Sequence, residues 1–135
     1  MDFSKSMSVA ASGLRAQTER MKIIAENIAN ANSTAPIKGG DPYRRQIATL
    51  SASFDRELQT SVVQAGKPLP DRSDFNTQYD PGNPNADAQG YVKLPNVNSL
   101  VEIMDMREAQ RSYEANLKVI EVSRGMLQRT IDLLR

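Results

Sequence analysis

Asn83, Asn85, Asp87 and Gln89 alternate in the manner of oxygen ligands around a calcium ion. Counted from Asn83, the sixth position needs a glycine for the sharp turn and is Ala88; the twelfth needs a bidentate glutamate and is Leu94. The pattern fails at its two most demanding places and leaves a solvated turn, so no metal ligand is assigned. The chain has no His and no Cys, which removes the imidazole base, the thiolate nucleophile and every His/Cys metal site. Its carboxylates and lysines form no pair that stands apart from a solvated surface, so no catalytic residue and no cofactor is assigned, and the reading is not an enzyme. Arg44-Arg45 is a pair rather than a nucleic-acid patch, and a charge at a strand edge is its plainer account. With 17 basic against 16 acidic residues and a net charge of +1, neither nucleic acid nor an anionic membrane is indicated as a partner.

With chemistry so thin, the elements themselves become the subject. Residues 99–135 carry Ile103, Met106, Gln110, Tyr113, Leu117, Ile120, Arg124, Leu127, Ile131 and Leu134 at alternating spacings of three and four. That alternation keeps one stripe against a partner helix, as in a coiled coil. Ser99 followed by Glu102 reads as a capping box, and acidic residues early with basic residues late complement the helix dipole. Such a helix is about 55 Å long, too long to be wrapped by a chain of this size. Residues 4–31 form a second helix, with Met7, Leu14, Met21 and Ile28 seven apart. The expected intrachain seam therefore places Met7, Leu14, Met21 and Ile28 along Leu117, Ile120, Leu127, Ile131 and Leu134. Gln110 and Arg124 interrupt it.

Each helix has a second apolar row: Val9, Ala16 and Ile23 on the first, Val119, Val122 and Met126 on the second. A helix that is apolar on two sides is buried on two sides, and the second rows are assigned to contacts between subunits. Gly13 lies within a run of small residues and is read either as a place of close backbone approach or as a weak spot.

Residues 37–98 hold six of the seven prolines and form a loop-rich insert with some β structure. Alternation over residues 43–54 predicts a strand with one buried face, bearing Leu50, Ala52 and Phe54. Residues 61–64 fit either a strand or a helix turn, residues 91–94 a short strand closed by Pro95, and Asp80-Pro-Gly a type II turn. The fold class is thus mainly α with a small β insert. Residues 1–36 and 99–135 form one coiled-coil core domain around the β- and loop-rich middle, 37–98.

The run from Ala11-Ser-Gly-Leu14 through Ile24-Ala-Glu-Asn-Ile-Ala-Asn-Ala-Asn-Ser-Thr34 resembles the N-terminal signature of the bacterial flagellar axial proteins. Tyr79-Asp-Pro-Gly-Asn-Pro-Asn-Ala-Asp-Ala-Gln-Gly-Tyr-Val-Lys-Leu-Pro-Asn-Val-Asn98, with Ser112-Tyr-Glu-Ala-Asn116, is similar to the proximal-rod members of that family. The resemblance implies a structural subunit of the periplasmic rod that carries torque from the inner-membrane ring to the hook. It implies terminal helices lining a central channel, and export through the flagellar type III apparatus without a cleaved signal peptide. Implied partners are further copies, other rod proteins, and the ring and export-gate adaptor proteins at the rod base. Another axial protein, or a cytoplasmic helical adaptor resembling an export chaperone, is the alternative.

Overall fold

The structure, a computed structural model, describes residues 2–135. Two long helices, α1 (Phe3–Ala29) and α2 (Ser99–Leu133), bracket six short strands: β1 (Gln46–Ile47), β2 (Leu50–Asp55), β3 (Thr60–Ala65), β4 (Leu69–Pro70), β5 (Asn76–Tyr79) and β6 (Tyr91–Leu94). The strands pair in antiparallel twos, β1 with β4, β2 with β3 and β5 with β6. The terminal helices pack on one another, as the periodicities predict, and the β-rich segment lies between them in the chain. Two compact units divide the contacts, and each takes a piece of both helices and a piece of the middle segment.

Local chemistry sets the helix ends. The Asp2 carboxylate accepts the amides of Ser4 (3.1 Å) and Lys5 (3.2 Å), occupying donors that the first turn of α1 leaves free. At α2 the cap is Asn98, whose Oδ1 accepts the amides of Leu100 (3.1 Å) and Val101 (3.4 Å). The expected box between Ser99 and Glu102 does not form, because the Glu102 carboxylate is engaged by Arg45 and Asn27 instead.

The first unit comprises residues up to Met21, Ala48–Lys67 and Arg107–Arg135. Its helix segments run antiparallel, with Arg20 paired to Glu108 at 3.3 Å and Gly13 lying against Asn116. The α2 residues turned inward are Ala109, Asn116 and Ser123, seven apart, flanked by half-buried Tyr113 and Ile120. This is the predicted 3-4 stripe turned by one position, and it carries small residues where the helices come closest. β2 and β3 lie against α1, where the Val63 amide donates to Ser12 Oγ at 3.1 Å and Val62 is buried. The predicted strand over 43–54 is instead split into β1 and β2. Its Leu50-Ala52-Phe54 face is also the open one, because the opposite face, with Ser53 across from Val62, is turned to the small residues of α1.

Gly13 sits where a Cβ would come within 2.8 Å of Asn116 Nδ2 and 3.0 Å of its Cγ. That side chain has little freedom to retreat, since Nδ2 already donates to the Ser112 carbonyl at 3.0 Å. Gly13→Ala gains ~1 kcal/mol of helix propensity and meets an overpacking cost of ~1–3 kcal/mol. The substitution is expected to be neutral or destabilising alone, and stabilising by ~1 kcal/mol in an Asn116→Ala background. Urea midpoints of the four variants measure this coupling. Additive midpoints would mean that the two helices do not approach closely here.

The second unit comprises Lys22–Ile47 and Pro68–Met106. Its apolar core includes Ile24, Val92, Pro95 and Val97. Gly90, at φ +87°, reverses the chain ahead of β6 and lies against Tyr79, whose ring meets Tyr91 edge-on at 5.3 Å. The turn over residues 80–83 forms, with the Asn83 amide donating to the Asp80 carbonyl at 3.1 Å. Gly82 is not among the positive-φ glycines, so the turn is type I rather than type II.

Candidate assembly interface

On the first unit, α2 presents Val119, Val122 and Met126 at 46%, 50% and 46% exposure. Leu117, Leu127 and Ile131 are exposed to nearly the same degree elsewhere on the helix. Val119, Val122 and Met126, spaced three and four apart, form one exposed apolar strip of the sort that marks interaction sites, whereas Leu127 falls on the α1-facing side and borders a hollow with Met7. Every residue from 124 to 135 is exposed, so the strip continues to the end of the helix.

The fifteen residues singled out from the sequence divide unevenly. Of the seam set, Met7, Leu14, Met21, Ile28 and Ile120 are half-buried, and Met7 borders one hollow with Leu127. Leu117 stands exposed because the turned seam faces α1 with Ala109, Asn116 and Ser123 instead, and Ile131 and Leu134 because they lie past Leu127, which already reaches the start of α1. Of the second rows, Val119, Val122 and Met126 are open. Val9 is half-buried, while Ala16 and Ile23 are 2% and 8% exposed and so are already covered within the single chain. Gln110 and Arg124 point to solvent rather than into the seam.

A buried polar cluster in the second unit has no counterpart in the sequence reading. The Arg45 guanidinium donates through Nε to Glu102, pairs with Asp71 at 3.2 Å, and lies 3.7 Å from Asp105. Glu102 is wholly buried and also accepts from Asn27 Nδ2 at 3.2 Å. Asn27, buried in turn, accepts through Oδ1 from the Tyr43 hydroxyl (2.8 Å) and the Gln46 amide (2.9 Å), and donates to the Gln46 carbonyl (2.8 Å). The Arg45 amide donates to Asn96 Oδ1 at 2.8 Å. The cluster thereby joins α1, the segment after it, the chain near Asp71, the chain before α2, and α2 itself.

Charge states follow from these contacts. Burial works against the Arg45 cation, but Glu102 and then Asp71 outweigh it and hold its pKa above the ordinary value. The Ser73 amide and hydroxyl, and then Arg45, keep the Asp71 carboxyl below its usual range. Burial, with Glu26 and Glu102 nearby, raises the Tyr43 phenol. Arg44 is not an idle edge charge either: it donates to the carbonyls of Asp71 and Ser73 and stacks over Phe75 at 4.2 Å. Sequence spacing gives no signal for this cluster, since its partners are distant along the chain.

The calcium-like run is spent on its own backbone and on the carbonyl of Ala35. Asn83 accepts the Asn85 amide, Asp87 accepts the amides of Gln89 and Tyr91, and Asn85 donates to the Ala35 carbonyl. Among the described residues no group of three or more His, Cys, Asp or Glu is gathered for a metal, and no helix is long and apolar enough to cross a membrane.

Two family models match the chain. "Flagella basal body rod protein" covers residues 7–35, and "Flagellar basal body rod FlgEFG protein C-terminal" covers residues 88–133. The flagellar basal-body rod protein FlgC of Agrobacterium fabrum is 50% identical over 98% of this chain and 95% of its own length. FlgC of Bacillus subtilis is 38% identical over 95% of each chain, and that of Aquifex aeolicus 37% over 98% of this chain and 97% of its own. A likeness at this level over nearly the whole length of both partners carries fold and family together, and the chain belongs to the FlgC family of flagellar basal-body rod proteins.

Proposed function

We propose that this chain is a structural subunit of the proximal rod, part of the periplasmic shaft that transmits torque from the inner-membrane ring to the hook. The observation that carries the reading is the open Val119-Val122-Met126 face on a chain whose relatives are named rod proteins. Such a face is useful to a subunit that is covered by neighbours after assembly. Residues 1–36 and 99–135 act as the core of the rod and 37–98 as its outer part. The partners are other copies, other rod proteins, and the ring and export-gate adaptor proteins at the rod base. The subunit leaves the cytoplasm through the flagellar type III apparatus. No reaction is assigned to it: its work is to resist twisting, which close packing does well because packed interiors yield little under load.

A tagged chain, expressed in a strain lacking the native copy, is expected to restore swimming and to copurify with isolated basal bodies. Retention in the cytosol as a discrete helical dimer would instead support an adaptor.

A further inference from the structure

The strip on α2 runs past the helix it packs against. Leu127 borders the same hollow as Phe3 and Met7 at the start of α1, so residues 128–133 continue roughly 9 Å further along the axis. Leu133 and Leu134 there are 87% and 83% exposed. Alongside them stand Arg129, Asp132 and Arg135, and among the described residues none of the three has an ion pair. Elsewhere on the same unit, α1 and the β2–β3 hairpin enclose a cleft of about 530 Å³. Its apolar lining includes Ala11, Leu58 and Ala65, and its charged groups are Arg15, Glu19 and Asp55. Arg15 and Glu19, one helical turn apart, have no ion pair among the described residues either.

Resting on the rod reading above, we propose that the projecting end of α2 from one copy of this chain docks in the α1–hairpin cleft of the next copy. The apolar pair Leu133 and Leu134 fills the cleft. Asp132 meets Arg15, and Arg129 and Arg135 meet Glu19 and Asp55, so that a plus-minus-plus pattern on the projecting helix finds its opposite on the cleft wall. The projection and the cleft are different surfaces of one molecule. Their contact is therefore heterologous, and a contact of that kind propagates into an open assembly unless its rotation happens to close.

The test places the photoreactive residue benzoylphenylalanine at Leu134, where high exposure keeps the fold out of question, in cells that also carry a differently tagged wild-type copy. Basal bodies are irradiated, isolated and digested. The expected conjugate joins position 134 to residues 8–19 or 55–65 of the differently tagged copy. A conjugate to another protein, a conjugate elsewhere on this chain, or none at all would overturn the proposal. Recovery of the protein in the basal bodies, scored on the same sample, reports separately on the rod reading. As a second arm, Glu19→Arg is expected to abolish swimming and Arg135→Glu, added to the same chain, to restore it in part. Failure of the pair to do better than Glu19→Arg alone would count against the charge match.

Discussion

Arg45→Met is expected to lower the stability of the chain by ~3–5 kcal/mol, the cost of leaving one member of a buried ion pair without its partner. Glu102 is the group left behind. Its side chain is 1% exposed, so water cannot replace the guanidinium, and a single amide donor from Asn27 remains to it. With a urea slope of ~1–3 kcal/mol per molar, the midpoint falls by roughly 1–5 M, a large share of the stability of a small domain. The expected outcome for Arg45→Met/Glu102→Met is different. Removing both charges and filling the space with apolar side chains is often close to neutral, so the double variant recovers most of the loss although Arg45→Met alone does not. Asp71, better exposed and held by Ser73, then remains charged at little cost. An Arg45→Met midpoint within experimental error of wild type would show that Glu102 does not depend on Arg45. A double variant no better than the single would show that the cluster's hydrogen bonds, rather than its buried charge, govern stability.

The same cluster marks the boundary of what the sequence makes legible. Both helices are plain in the spacing of apolar residues, because periodicity is a property of each segment by itself. The strand over residues 91–94 and the turn over residues 80–83 are legible for the same reason: Pro, Gly and alternation act locally. The seam is not. Apolar spacing draws attention to Ile103 and Leu117, yet α2 turns Ala109, Asn116 and Ser123 toward α1, since closeness of approach is set by small side chains that a hydrophobic pattern leaves unmarked. Gly13 was the one hint of this. The strand carrying Leu50, Ala52 and Phe54 fails in the opposite sense, as alternation shows that two faces differ but not which one a helix will cover. Arg45, Glu102 and Asn27 are beyond local reading altogether. They meet only when five segments converge, and Glu102 looked like a helix cap until its partner was in view.

Val122→Asp is expected to leave the single chain folded and soluble while preventing completion of the rod. Val122 is 50% exposed on the open side of α2, so in the unassembled chain the new carboxylate stays hydrated, and a surface change of this kind moves stability by only about 0.5 kcal/mol. Assembly reverses the situation. A face of Val119, Val122 and Met126 pressed against a neighbour gains ~1.5–3 kcal/mol for each side chain fully buried, whereas an unpaired carboxylate in the same place costs ~3–5 kcal/mol. At 1.4 kcal/mol per factor of ten, association weakens by roughly two to three and a half orders of magnitude. Cells carrying Val122→Asp should export the protein, yet yield few basal bodies containing it and fail to swim. Val122→Leu, which keeps the face apolar, should swim. Normal swimming by Val122→Asp would place this side of α2 in water within the assembled rod, and the contact between subunits would then have to be sought on another surface. An unfolded Val122→Asp monomer, detected by loss of helical circular dichroism, would show instead that the residue supports the single chain.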